Sequence, residues 1–142
     1  MRSRLKARNS DCKAMTSEIK LHIQSENSFL YPDSMVACGE IQKSDSDKNA
    51  ITNPIVVIEV LSKSTANYDR GDKFFMYRLI PSLQEYVLIE QEKPQIEIYK
   101  RESDLWQITR VTGLDKKLTL RSINLEIPLS EIYEGVEFGD EK

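Results

Sequence analysis

The stretch that most constrains the fold is IVVIEVL, a nearly unbroken run of aliphatic residues at positions 55–61. Such a run, rich in β-branched residues, predicts a strand buried on both faces, as in the parallel sheets of α/β proteins. Side chains alternate along a strand, so Glu59 shares a face with Val57 and Leu61. A buried carboxylate costs several kcal/mol unless it is paired, hydrogen-bonded or bound to a metal. Glu59 therefore needs a partner.

The composition is that of an ordinary globular protein. The 142 residues are 39% hydrophobic and 30% charged, which predicts a single domain spanning residues 1–142. The net charge of -3 is too mild to indicate a nucleic-acid partner by itself. Cys12 and Cys38 lack C-x-x-C spacing and His22 is the only histidine, which excludes a Cys/His zinc site. No apolar segment is long enough for a membrane span or a secretory signal, so we expect a cytoplasmic protein without a membrane partner.

Hydrophobic patterning predicts a mixed α/β domain built on a central sheet. The buried strand is followed by a loop and a helix with Asp69 as its N-cap and Pro81 at its end, and then by another strand, which makes a βαβ unit. Alternating segments after this unit predict added C-terminal hairpins. The predicted strands are residues 14–23, 29–38, 55–61, 83–91, 95–102, 105–111 and 117–128, and a short final helix covers residues 129–138.

A second carboxylate, that of Asp33, could belong to the same site as Glu59. Asp33 follows Pro32 within an otherwise apolar strand segment. If the two strands lie side by side, both carboxylates converge, and they repel each other unless a cation lies between them. All-oxygen ligation of this kind suits Mg²⁺ or Mn²⁺. The alternative interpretation is that Pro-Asp only makes a turn.

Two lysines could balance the charge of Glu59. Lys73 lies near the start of the predicted helix, where it could face back toward the end of the buried strand. Lys63 shares the face of Glu59 on the strand itself and is the competing candidate. With either lysine, a plain buried ion pair in a structural α/β domain is an alternative to a functional site.

The chain resembles a known family in the segments YPDSMVACGE and NPIVVIEVLSKSTANYDRGDKFFMYRLIPSLQEYVLIEQ. Pro-Asp, the glutamate in the strand, LSKST, YDRGDKF and IPSLQEY occur in the order seen in the Uma-two endonuclease family. That family belongs to the PD-(D/E)XK restriction endonuclease-like superfamily. The resemblance is specific over residues 31–91 and continues more weakly to IPLSEIYEGVEF. It implies a restriction endonuclease-like core, a central mixed β-sheet flanked by helices.

The resemblance implies a metal-dependent endonuclease that hydrolyses DNA. Asp33 and Glu59 match the metal-binding acidic residues, and the main-chain carbonyl of Val60 would be a further ligand for Mg²⁺ or Mn²⁺. Leu61 stands where the simple superfamily pattern has a lysine, so Lys73, or alternatively Lys63, would be the catalytic lysine. The matching residues expected to support the site or cap the helix are Ser62, Tyr68, Asp69 and Arg70.

The start of the chain departs from the family pattern. Relatives carry additional helical sequence before the first strand, and residues 1–9 resemble only the tail of that region, as expected for a truncated N-terminal helical region. A second copy could cover the apolar surface left exposed, giving a homodimer. The alternative function is a catalytically inactive nuclease-like module that binds DNA or protein.

Overall fold

A mixed six-stranded sheet forms the centre of the molecule in the computed structural model, which describes residues 11–138. The predicted helical tail at residues 1–9 lies outside the described residues. The strand order is β1-β4-β6-β7-β8-β9, and smaller sheets join β3-β2-β5 and β10-β11. The strands are β1 (Cys12–Thr16), β2 (Lys20–Ile23), β3 (Ser28–Leu30), β4 (Ser34–Cys38), β5 (Ala50–Ile51), β6 (Val56–Val60), β7 (Glu85–Ile89), β8 (Gln95–Glu102), β9 (Leu105–Thr112), β10 (Lys117–Leu120) and β11 (Leu125–Pro128).

The predicted βαβ unit is present, because β6 and β7 pair in parallel and helices connect them. The connection differs from the prediction of one helix capped by Asp69. It contains two short helices, α1 (Ala66–Arg70) and α2 (Asp72–Tyr77), so Asp69 lies inside α1 and is not a cap. The chain changes direction at Gly71, whose N–H still donates to the Asn67 carbonyl over 3.0 Å. The break turns the two helices onto the same face of the sheet.

The two faces of the central sheet bury separate cores. On one face, α1, α2 and the β3-β2-β5 sheet pack against Val57, Leu61 and Leu88. On the other face, the β10-β11 hairpin and the short helix α3 (Leu129–Ile132) pack against Val56 and Ile58. Neighbouring residues of β6 therefore enter different cores, as the alternation of strand side chains requires. The predicted C-terminal hairpin is therefore present as β10-β11, and it packs on the face of the sheet opposite α1 and α2.

Three predicted strands are each divided in the structure. Residues 117–128 form β10 and β11, with a 3₁₀ turn between them. Residues 14–23 form β1 and β2 in different sheets, because the chain turns after Thr16 and the N–H of Ile19 donates back to the Thr16 carbonyl. Residues 29–38 form β3 and β4, and the interruption falls at Pro32, which cannot donate to a ladder. Strand β8, Gln95–Glu102, has the predicted bounds.

Cys12 and Cys38 lie opposite each other in the β1–β4 ladder and form a disulfide. Their sequence separation of 26 residues gave no indication of this pairing. Within the described part of the chain, the helices are too short and too polar to cross a bilayer.

Because β7 is buried beneath the helices, we expect a substitution that leaves a cavity there to lower the stability of the protein strongly. Leu88 has 0% exposure and lies in the core that α1 and α2 cover. We expect Leu88→Ala to lower the free energy of unfolding by about 2–5 kcal/mol, measured by urea unfolding. Leu114→Ala, at a residue with 45% exposure, is the matched control and should change it by less than about 0.5 kcal/mol. Equal effects of both substitutions would contradict this packing.

Candidate active site

The carboxylates of Asp33 and Glu59 lie at the same end of two neighbouring strands. Ser34 pairs with Ile58 in the antiparallel β4–β6 ladder, so the register places Asp33 opposite Glu59. The Asp33 N–H donates to Glu59 Oε1 over 3.2 Å, and the Val60 N–H donates to Asp33 Oδ2 over 2.7 Å. These two hydrogen bonds hold both carboxylates beside the end of β6. The convergence expected from the sequence is thus present.

Glu59 is buried, with 2% of its surface exposed, and two side chains from α2 balance its charge. Lys73 Nζ lies 2.6 Å from Glu59 Oε2, and the Tyr77 hydroxyl donates to the same oxygen over 2.7 Å. Burial raises the pKa of the Glu59 carboxyl, because the opposing contacts with Lys73 and Tyr77 compensate only in part. A carboxylate perturbed by burial and a specific cation is typical of a functional site.

A third carboxylate, that of Asp69, approaches the same lysine. Lys73 and Tyr77 are four residues apart on α2, which places them on one side of that helix, and Asp69 reaches the same lysine from α1, before the break at Gly71. Asp69 is 3% exposed, its Oδ1 lies 3.8 Å from Lys73 Nζ, and burial raises its pKa. One ammonium group therefore faces two buried carboxylates. Tyr77 was not predicted as a site residue, although its spacing from Lys73 was the signal that could have identified it.

The other predicted site residues lie around this centre. Ser62 follows β6, and its Oγ lies 2.8 Å from Thr65 Oγ1 at the start of α1. The Tyr68 ring is 47% exposed, and its centroid lies 5.9 Å from Lys73 Nζ. Lys63 is exposed on the loop after β6, whereas the ion-pair partner of Glu59 is Lys73. The structure therefore brings Lys73, and not Lys63, to the acidic pair.

Arg70 connects α1 to the strands beyond the site. Its Nε donates to Glu97 Oε1 over 2.8 Å, and its guanidinium also donates to Glu90 Oε1 over 2.9 Å. Arg110 donates to the other oxygen of Glu97 over 3.0 Å. Burial opposes the ionisation of Glu97, but the two arginines outweigh it and lower the pKa of this carboxyl. The network fastens α1 to β8, β9 and the residue that follows β7, and sequence patterning gave no signal for it.

The oxygen atoms at the end of β6 fit a hard divalent cation. The N–H and C=O of one strand residue point to the same side, so the Val60 carbonyl faces the side on which its N–H meets Asp33. Within residues 11–138 no cluster of three or more His, Cys, Asp or Glu side chains is placed to hold a metal. Mg²⁺ is commonly held by only one or two carboxylates, with water and phosphate as further ligands. The carboxylates of Asp33 and Glu59 with the Val60 carbonyl meet that requirement.

The raised pKa of Glu59 makes stability depend on pH. The folded state binds the Glu59 proton more tightly than the unfolded state, so stability falls as the pH rises from the ordinary glutamate pKa through the raised value. Gln at this position cannot titrate. We therefore expect the free energy of unfolding of the wild type, minus that of Glu59→Gln, to decrease across this window in urea unfolding experiments.

Glu97→Gln is the matched control, because the pKa of Glu97 is shifted in the opposite direction. Its stabilising contribution is present above the ordinary glutamate pKa and is lost as the pH falls through the lowered value. The free energy of unfolding of the wild type, minus that of Glu97→Gln, should stay constant over the pH range in which the difference for Glu59→Gln decreases. It should decline only when the pH falls below the ordinary glutamate pKa. Parallel curves for the two variants would contradict the assigned environments.

Two curated relatives from Synechocystis, both described as uncharacterized proteins, are similar to most of this chain. One is 42% identical over 98 residues, which cover 68% of this chain and 55% of the relative. The other is 36% identical over 129 residues, which cover 90% of this chain and 66% of the relative. The chain thus spans less than two thirds of the length of each.

A solved structure and a family model agree on the fold and the family. The crystal structure of a protein from Anabaena variabilis described as "a putative nuclease" matches 93% of this chain and 75% of that chain, with a TM-score of 0.70 and 16% identity. At this identity the likeness shows the fold, and it confirms the predicted α/β fold class. The model of the Uma2 family, described as "Putative restriction endonuclease", matches residues 2–130. Because the match covers most of the chain and the predicted motifs lie within it, the protein belongs to the Uma2 family.

Proposed function

We propose that this protein is a divalent-metal-dependent endonuclease that hydrolyses phosphodiester bonds in DNA. The observation that carries the proposal is the meeting of Asp33, Glu59 and Lys73 at one strand end, with Lys73 Nζ 2.6 Å from Glu59 Oε2. The two carboxylates could bind a cation, and the ammonium group could contact a phosphate. Membership of the Uma2 family, described as "Putative restriction endonuclease", supports a nuclease.

In this proposal the ion is Mg²⁺ or Mn²⁺, held by the carboxylates of Asp33 and Glu59 and the carbonyl of Val60. When bound, such an ion polarises a phosphoryl oxygen and lowers the pKa of a coordinated water. The chain prepares this site in advance. The hydrogen bonds from the Asp33 and Val60 N–H groups orient the two carboxylates, and the Tyr77 hydroxyl fixes the rotamer of Glu59.

Lys73 would contribute positive charge beside the reacting phosphate. Its ammonium group is held between Glu59 and Asp69, and its side chain is 14% exposed, so it is positioned before substrate binds. A fixed cation of this kind stabilises the negative charge that develops during phosphodiester hydrolysis and orients the attacking water. Asp69 would act by positioning Lys73, since the carboxylate lies 3.8 Å from the ammonium group.

Arg70 and Arg110 would contact the DNA backbone next to the cleavage site. Their side chains are 34% and 62% exposed, whereas the Glu97 side chain between them is only 6% exposed. The outer parts of this cluster are therefore cationic, and Arg110 uses only one of its guanidinium nitrogens in the ion pair with Glu97. Contacts from arginine to phosphate supply much of the affinity of proteins for DNA.

Metal binding is the first test, because it does not require the correct DNA sequence. We expect Mn²⁺ titrated into the wild type to give a saturable calorimetric signal. Asp33→Asn and Glu59→Gln should each weaken this binding by about tenfold or more, because each removes a charged ligand. Glu126→Gln is the control, since Glu126 carries the same charge but lies on β11 and pairs with Lys117. It should leave Mn²⁺ binding unchanged. Absence of Mn²⁺ binding by the folded wild type would refute the metal-dependent proposal.

Cleavage of supercoiled plasmid DNA then tests the two lysines. With Mg²⁺ or Mn²⁺ present, we expect Lys73→Ala to lower the nicking rate by about 10²–10⁴-fold, the usual contribution of a group that assists proton transfer or charge stabilisation. Lys63→Ala removes an equal charge from an exposed loop and should keep the rate within a few fold. Removal of the metal with EDTA should abolish nicking. Selective loss in Lys63→Ala would transfer the catalytic role to that residue.

A further inference from the structure

Strand β9 forms an open edge of the central sheet. It is the last strand in the order β1-β4-β6-β7-β8-β9, and within residues 11–138 no strand pairs with its outer side. Its eight residues, LWQITRVT, contain no glycine, proline or lysine, and the single charge is Arg110. Proteins usually protect a long edge with lysine, proline or a bulge, since an open ladder attracts other strands. β9 carries none of these protections.

The backbone groups of alternate residues of β9 point outward. The Arg101 N–H donates to the Gln84 carbonyl, toward β7, and the Gly113 N–H donates to the Pro94 carbonyl, toward β8. Because direction alternates along each strand, odd-numbered residues of β9 bond to β8. The N–H and C=O groups that point away from the sheet therefore belong to Trp106, Ile108, Arg110 and Thr112.

Aliphatic side chains accompany these outward groups. Leu105 is 75% exposed and Ile108 is 58% exposed, although both lie in a regular strand of the largest sheet. Exposed apolar side chains beside unpaired backbone donors and acceptors are suited to pairing with another strand. The exposed side chains of β9 therefore lie along a continuous strand edge with unpaired backbone groups, and are not isolated apolar residues on the surface.

We infer that a second copy of this chain pairs with β9 in antiparallel orientation, with Ile108 on the two-fold axis. This register places Ile108 opposite Ile108 of the partner subunit. Trp106 then lies opposite the arginine of the other copy at position 110, Leu105 opposite Val111, and Gln107 opposite Thr109. Cross-strand pairs of aliphatic residues, and of tryptophan with arginine, are favourable.

The charge pattern of β9 favours this register over its neighbours. Arg110 is the only charged residue in the strand, and pairing around Ile108 keeps the two copies of Arg110 apart. Pairing around Thr109 would place Ile108 opposite Arg110. Pairing around Gln107 would leave Arg110 and Val111 opposite the hairpin turn that joins β8 to β9. An edge that is complementary to itself makes the isologous contact of a two-fold dimer.

The oligomeric state tests whether the edge is used. We expect sedimentation or light scattering to give twice the 16.4 kDa mass of the chain. Ile108→Pro removes one outward N–H and leaves the ladder with β8 intact, since proline is tolerated where the N–H of an edge strand faces solvent. This variant should remain folded by circular dichroism and become monomeric. A monomeric wild type, or a folded Ile108→Pro variant that stays dimeric, would overturn the inference.

Cysteine crosslinking tests the register. Directly opposed residues in a hydrogen-bonded pair have Cα atoms about 5.5 Å apart, within the range of a disulfide. Ile108→Cys should therefore form a covalent dimer on mild oxidation. In Leu105→Cys the two copies of the cysteine would be six positions apart along the paired strands, about 20 Å, so no crosslink should form.

Leu105 is the more exposed of the two residues, so random collision would crosslink Leu105→Cys at least as fast as Ile108→Cys. Equal crosslinking of the two variants, or crosslinking of Leu105→Cys alone, would overturn the register. Neither experiment involves metal or DNA. The dimer therefore stands or fails independently of the proposed nuclease activity.

Discussion

The ion pair between Glu59 and Lys73 determines how the central strand and its connection must be arranged. A carboxylate placed among Val57, Leu61 and Leu88 can be accommodated only if cations and donors approach it from above the sheet. The two helices between β6 and β7 meet this need, since they contribute both the ammonium group and the Tyr77 hydroxyl. The carboxylate whose burial is costly is also one of the proposed metal ligands.

Three buried glutamates of the central sheet are stabilised in different ways. Glu85 accepts hydrogen bonds from the backbone N–H groups of Arg121 and Ser122, each over 3.2 Å, and so anchors the turn between β10 and β11. Glu97 is neutralised by two arginines, which lower its pKa. Glu59 keeps a raised pKa because one lysine and one tyrosine compensate its burial only in part. Glu59, the proposed metal ligand, therefore differs from Glu97 in the direction in which its surroundings shift the pKa.

Sequence reasoning predicted the elements whose signals are local. Alternation predicted β8 with the bounds found, and the apolar run predicted the buried strand β6. It failed where the chain changes direction without a strong local signal, as after Thr16 and at Gly71. It could not predict the contacts of Arg70 with Glu90 and Glu97, because 20 and 27 residues separate the partners.

The sequence by itself determined that Glu59 would be buried, that Asp33 and Lys73 were candidate partners, and that a βαβ unit would contain the site. These follow from periodicity and from residue order, which need no knowledge of distant contacts. Only the tertiary structure decided between Lys73 and Lys63 as the ion-pair partner, added Tyr77 to the site and joined Cys12 to Cys38. It also left β9 as an open edge among residues 11–138. The physical reason is that side-chain charge is balanced by whatever the fold brings near, and that proximity depends on helix placement and strand order.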